Sequence, residues 1–290
     1  MTPQIEALIA SERLPENYSD MVTQWWRPLA HQIAQWRKDA GRPLIIGING
    51  AQGSGKSTLC RFLEQALLPE LGLTAITLSL DDLYLTRAER DILARNVHPL
   101  LRTRGVPGTH EAALGQSVLD DLVAGRPTRF PQFSKALDDR LPPSDARHVK
   151  AEVDVILFEG WCVGATPQTP SELAAPINAL EAECDPDGTW RRYVNDQLQG
   201  PYADWFGRID RLVMLRASSF DSVLRNRLLQ EHKLRSASPD APAAMDDDQV
   251  RVFISHYERL TKHMIGTLSG SSDICFDLDD GQQVSRSRAC

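Results

Sequence analysis

Five short apolar runs recur along the chain: Pro43–Asn49 (PLIIGIN), Leu73–Leu80 (LTAITLSL), Val153–Phe158 (VDVILF), Arg211–Leu215 (RLVML) and Ile274–Leu278. Each is nearly continuous in hydrophobicity rather than alternating, the pattern of a strand buried on both faces. Between them lie stretches with helical character. Residues 19–39 carry Ser19 as a capping candidate, with Gly41 and Pro43 as stops, and Ser57–Leu68 ends at Pro69. Thr86-Arg-Ala-Glu89 has the form of a capping box. Thr109 is placed to cap a helix running to Gly125, and Trp190–Trp205, Phe220–Arg235 and Asp246–Leu268 complete the set. Strand and helix alternate, which predicts a doubly wound α/β fold, a parallel sheet with helices on both faces. Ligands of such a sheet bind beyond the C-terminal ends of its strands.

The same pattern sets the expected organisation. A single domain spans 1–290, with a helical extension over 1–42 and a lid region over 220–250 whose tip is Ser236–Ala244. Arg126–Lys150 reads as a long loop, and 282–290 as a tail without structure. Trp25, Trp26 and Trp36 fall at helical positions, where packing into a core is the ordinary role of such rings.

One stretch between the first strand and the following helix carries explicit chemistry. Gly50-Ala51-Gln52-Gly53-Ser54-Gly55-Lys56-Ser57, followed by Thr58, fits G-x-x-x-x-G-K-[ST]. The glycines let the backbone curl so that its N–H groups point inward at phosphate oxygens, and the helix start adds its positive dipole end. Lys56 reaches the β- and γ-phosphates and Ser57 ligates Mg²⁺, so ATP and Mg²⁺ are the expected cofactors. Asp81-Asp82 stands at the end of the second strand, where a carboxylate acts on a substrate hydroxyl or on metal-bound water; Asp82 is the preferred residue. Glu159 ends the third strand, as an acid that assists Mg²⁺ does. Arg225 and Arg227 lie two positions apart on a helix and so face different ways, one toward a transferring phosphate and the other toward protein carboxylates. The segment from Arg102 to Glu111 is a glycine- and proline-shaped loop whose arginines suit a carboxylate. His110-Glu111 is no zinc motif, because position 114 is Leu.

Composition narrows the classes. A net charge of −7 without a basic stripe argues against a nucleic-acid partner. The five cysteines are odd in number and widely spaced, which excludes a disulfide framework and a cysteine zinc site. No apolar run approaches the ~20 residues of a membrane span, and the first residues lack a signal pattern, so a cytoplasmic location is expected.

The chain resembles the P-loop type of D-glycerate 3-kinase, a relative of phosphoribulokinase, uridine kinase and bacterial pantothenate kinase. The likeness runs from about Pro43 to Leu278 and is carried by GAQGSGKST from Gly50, SLDDLYLT from Ser79, RGVPGTHE from Arg104, FPQFSKALDDR from Phe130, VILFEGWCVG from Val155 and RNRLLQEHKLR from Arg225. It departs from the group at Glu111, where Asp is expected, and over 164–190, which is long and rich in Pro and Ala. The resemblance implies phosphoryl transfer from Mg·ATP to a hydroxyl of a small acid, with Asp82 acting on that hydroxyl or its metal and Glu159 supporting magnesium. It places Arg225 in the lid, and Tyr84, Arg104 and His110 near the acceptor. Pantothenate and nucleoside kinases share the scaffold, and a nucleotide-driven switch or assembly ATPase is the reading outside the kinases.

Overall fold

The computed structural model describes residues 2–15, 17–150, 152–237 and 245–289. Its centre is a six-stranded sheet built from β1 (Leu44–Gly50), β2 (Ala75–Ser79), β3 (Val155–Gly160), β4 (Arg211–Arg216), β5 (Ile274–Leu278) and β6 (Val284–Ala289). The strand order is β2-β3-β1-β4-β5-β6. The first five run parallel, and β6 returns antiparallel along β5. The five apolar runs are these five parallel strands. β1 and β3 are buried at every position, whereas β2, on the sheet edge, alternates.

Eleven helices surround the sheet among the described residues: α1 (Pro3–Ser11), α2 (Tyr18–Met21), α3 (Arg27–Ala40), α4 (Lys56–Phe62), α5 (Arg87–Asn96), α6 (Ala112–Val123), α7 (Ala179–Cys184), α8 (Thr189–Gln199), α9 (Pro201–Phe206), α10 (Phe220–Ala237) and α11 (Asp247–Thr267). Period-two alternation along β1 divides two cores. Leu44, Ile46 and Ile48 pack with Ile5, Trp26, Ile33 and Leu59 from α1, α3, α4 and the turn between α2 and α3. Ile45 faces the other layer, where Leu119, Trp205, Tyr257 and Leu260 from α6, α9 and α11 meet. Trp26 is buried and stands edge-on to Phe276 with ring centres 5.3 Å apart, so it is core.

Local signals were read correctly in some places and not in others. Thr86 and Glu89 form the reciprocal capping box. Gly41 ends α3 with φ of +64°, a left-handed conformation that glycine adopts without strain. The helix expected from Ser19 begins instead at Tyr18 behind Asn17, and it includes a π turn over Val22–Trp26 before α3. Thr109 does not cap α6. Its hydroxyl donates to Val106 O at 2.7 Å and accepts from Gly105 N at 3.0 Å, closing the preceding loop, and the helix starts at Ala112. The helix expected over Trp190–Trp205 is two, broken at Gly200-Pro201, because Pro has no N–H to give the preceding turn. The tail expected over 282–290 without structure forms β6 through Ala289. The Arg126–Lys150 loop contains two short antiparallel ladders, Thr128–Phe130 with Arg147–Val149 and Phe133–Ser134 with Asp139–Arg140. Of the expected lid, α10 and α11 are present; its tip over 238–244 lies outside the described residues.

The Pro- and Ala-rich segment after Gly164 is fastened by two buried arginines. Arg259 pairs with Glu181 and donates to Glu172 O and Ala175 O, each of these backbone bonds 2.7 Å long. Arg191 pairs with Asp185 and donates to Leu173 O and Ala174 O. Charges this buried persist only when paired, and here each is.

Candidate active site

The C-terminal ends of β1, β2 and β3 open onto a cavity of about 400 Å³. On its floor, the chain leaves β1 at Gly50, where a Cβ would collide with the Ser54 hydroxyl and crowd Leu215, so glycine suits the tight fold-back of the loop. Gly53 and Gly55 then take φ of +77° and +85°. Gln52, Gly53, Gly55, Lys56, Ser57 and Thr58 line the cavity, while Gly50, Ala51 and Ser54 are buried beneath them. Lys56 and Ser57 open α4, so the cavity floor is a helix N-terminus.

Parallel register puts Ser79 of β2 beside Glu159 of β3. Glu159 Oε1 accepts from Ser79 Oγ at 2.9 Å and from Ser57 Oγ at 3.1 Å. Its other oxygen lies 4.0 Å from Lys56 Nζ and, although buried, has no hydrogen-bond partner. A buried carboxylate oxygen left in this state, beside a serine hydroxyl, is a site arranged for a cation.

β2 runs into a 3₁₀ turn over Leu80–Leu83. In such a turn residues three apart eclipse; Leu80 and Leu83 both enter the core. Asp81 and Asp82 are therefore sent to different sides. Asp81 lines the cavity, accepts from Tyr84 Oη at 3.0 Å, and is paired with Lys135 Nζ at 2.7 Å. Burial opposes its charge, but Lys135, Lys56 and the Lys135 hydrogen bond outweigh it and hold the carboxyl at about 2. Asp82 is not among the lining residues. It accepts from Phe133 N at 3.1 Å. Burial, with some repulsion from Asp81 and Glu159 and against that hydrogen bond, pushes its carboxyl up to about 6. The geometry turns Asp81, rather than Asp82, toward the cavity.

The remaining candidates divide in the same way. Tyr84 and Arg104 are on the wall. Arg104 is paired with Asp138 and its guanidinium lies over the Phe133 ring, 5.6 Å from the centre. His110 is behind the wall, stacked on Tyr84 at 4.4 Å with Nδ1 2.6 Å from Tyr202 Oη. Burial lowers its pKa to about 3, so it is a neutral buttress rather than a charged contact. Arg225 points away and pairs with Asp280 at 2.9 Å, more than half exposed. Arg227, two residues on, faces the cavity, braced by Glu231 at 2.7 Å and lying over Phe253. Sequence reasoning did not single out Lys135, Trp161, Gln230, Phe253, Tyr257 or Gln282, all on the wall. Lys135 falls in the FPQFSKALDDR segment, Trp161 in VILFEGWCVG and Gln230 in RNRLLQEHKLR, whereas Phe253, Tyr257 and Gln282 lie outside the segments that carry the resemblance.

No family model matches the chain. "Uncharacterized kinase mug58" of Schizosaccharomyces pombe is 35% identical over 241 residues, 80% of this chain and 84% of the relative. The chloroplastic D-glycerate 3-kinase of Arabidopsis thaliana is 32% identical over 257 residues, 82% of this chain; the match spans about half of that relative, 53%. The chain belongs to the family of P-loop kinases that these relatives represent. This kinase uses ATP and acts on a small molecule. It shares its fold with a D-glycerate 3-kinase from Cryptococcus neoformans, with a TM-score of 0.76 and 24% identity, over 91% of this chain and 99% of the other. A pantothenate kinase of Nitrobacter hamburgensis is 31% identical over 144 residues, 48% of this chain and 43% of the relative. Among the described residues no helix is long and apolar enough to cross a membrane.

Proposed function

We propose that this kinase transfers the γ-phosphate of Mg·ATP to D-glycerate, giving 3-phosphoglycerate. The carrying observation is the position of Asp81 on the same cavity wall as Lys56, with Arg104 and Lys135 beside it. A carboxylate to take a hydroxyl proton, two cations for an acid group and a phosphate-binding loop share one chamber. That combination suits a small hydroxy acid.

In this reading the acceptor hydroxyl oxygen attacks the γ-phosphorus and the bond from that phosphorus to the β–γ bridging oxygen breaks. The hydroxyl proton passes to Asp81, and ADP departs with the bridging oxygen. With Lys135 in place the carboxyl is held at about 2, so Asp81 meets the acceptor as a carboxylate, orients the hydroxyl and receives its proton late. Lys56 and Arg227 stabilise the charge spread over the transferring group. Ser57 and Glu159 would hold Mg²⁺, which when bound neutralises charge between the β- and γ-phosphates. The donors fit: a hydroxyl and a partnerless carboxylate oxygen are hard oxygen ligands. α10 and α11 act as a lid that keeps water from the γ-phosphate, with Arg227 moving on it.

The test is ADP release from Mg·ATP with and without D-glycerate, with Lys56→Ala as the blank and the phosphorylated carbon of the product assigned by NMR. Strong stimulation with 3-phosphoglycerate as product is expected. The second reading, favoured by the partial likeness to pantothenate kinases, wins if pantothenate stimulates and D-glycerate does not. Nucleotide hydrolysis unaffected by any acceptor in a panel of acids and nucleosides would instead point to a switch or assembly ATPase.

A further inference from the structure

A cation–anion contact at the acceptor end of the cavity is made to the carboxylate assigned the proton transfer. Lys135 Nζ lies 2.7 Å from Asp81 Oδ2, and Tyr84 Oη occupies Asp81 Oδ1 at 3.0 Å. Both oxygens of the carboxylate are therefore engaged before any acceptor arrives. The lysine has no comparable anchor of its own: its side chain is 66% exposed, against 28% for Asp81. The pair keeps Asp81 charged, but its lysine arm is long, flexible and exposed, so an incoming carboxylate can take the place of Asp81 on it. Arg104, on the same wall, spends one guanidinium nitrogen on Asp138 and keeps other N–H donors for a second anion.

We propose that Lys135 is an acceptor-operated latch on Asp81: it blocks the carboxylate in the empty enzyme and leaves it for the acceptor's own carboxylate, which it then holds together with Arg104. This rests on the function proposed above and adds to it a reason for the kinase not to spend ATP on water. With Lys135 on Asp81, the ammonium covers Oδ2 and draws on the carboxylate's charge, so a water molecule in the acceptor space finds a weaker and less accessible acceptor to orient it toward the γ-phosphorus. An acid acceptor brings a negative charge that draws Lys135 away, and the same event frees Oδ2 for the hydroxyl. A neutral alcohol supplies the hydroxyl but not the charge, so it leaves the latch closed. The lysine sits in the ladder segment between Phe133–Ser134 and Asp139–Arg140. That segment is tied down on either side, by Phe133 N to Asp82 and by Asp138 to Arg90 and Arg104. The latch can swing while its mounting stays fixed.

The experiment compares wild type, Lys135→Ala, Lys135→Arg and the double variant Lys135→Ala/Asp81→Asn, each with its melting temperature. Mg·ATP hydrolysis is measured without acceptor, and D-glycerate phosphorylation with it. Lys135→Ala is expected to raise acceptor-free hydrolysis several-fold and to raise the D-glycerate KM about tenfold, the loss of one charged hydrogen bond. The double variant should lose the extra hydrolysis, because that hydrolysis runs through Asp81. Lys135→Arg should restore both values most of the way. Unchanged or lower acceptor-free hydrolysis in a folded Lys135→Ala overturns the latch, and so does extra hydrolysis that survives Asp81→Asn. If wild type ignores D-glycerate, the acceptor assignment fails, yet the hydrolysis arm still decides the latch on its own.

Discussion

The two ends of the cavity are built on different plans. At the nucleotide end, the ligand-facing groups come from one unbroken stretch, Gln52 to Thr58, whose shape is set by glycine conformations. At the acceptor end they are side chains from separate segments, Asp81, Arg104, Lys135 and Trp161, brought together only by the fold. A backbone cradle recognises something common to every nucleoside triphosphate. Convergent side chains recognise one acceptor, and each can change without disturbing the others. This separation is what allows one scaffold to serve several acceptors.

The comparison can be broken most decisively at Lys56. Lys56→Ala should lower kcat about 10³-fold with any acceptor, measured as steady-state ADP release; a loss confined to one acceptor would erase the distinction between the two ends. Asp81→Asn should lower kcat about 10²-fold and leave the ATP Kd within twofold, read by nucleotide titration and single-turnover transfer. Arg104→Ala should raise the D-glycerate KM about tenfold with little change in the ATP KM; equal changes in both would place it at the wrong end.

The smallest effect is expected for Asp82→Asn, which keeps an acceptor for Phe133 N and removes a buried charge. Its rate should stay within about twofold, and its stability should carry a pH signature. The wild-type carboxyl is raised from 3.8 to about 6 on folding, so its contribution to stability is intact below about pH 4 and is lost as pH rises through 6. The variant should therefore melt higher than wild type at pH 8, by roughly 2 °C, with the gap closing toward pH 4. Calorimetry across that range reads it directly.

What could be read in the sequence follows the same division. The five parallel strands were legible because burial on both faces leaves a continuous apolar signature, and the glycine loop because its geometry demands particular residues at adjacent positions. The choice between Asp81 and Asp82 was not, since it depends on a 3₁₀ turn whose inward residues, Leu80 and Leu83, are recognised only once the core is known. Arg225 and Arg227 pose the same problem on α10, where the helix phase relative to the cavity decides. Lys135 sits between two-residue strands too short to show any periodicity. β6 is polar at most positions, so it lacks the apolar run that marks the five parallel strands, and it takes its place as the return strand of a hairpin with β5. Thr109 misled because its hydroxyl had a second use, closing the loop before α6.

The segment fastened by Arg191 and Arg259 shows how shape can outlast spelling. Four of the bonds these arginines make go to the backbone carbonyls of Glu172, Leu173, Ala174 and Ala175. A carbonyl is present whatever the side chain, so those four positions can drift in sequence while the path of the chain stays the same. Heritable constraint falls instead on a few distant residues, the two arginines and their acidic partners Glu181 and Asp185. Relatives of this kinase can thus share the outline of the segment with almost no matching letters in it, and a comparison that counts letters alone would pass over the likeness.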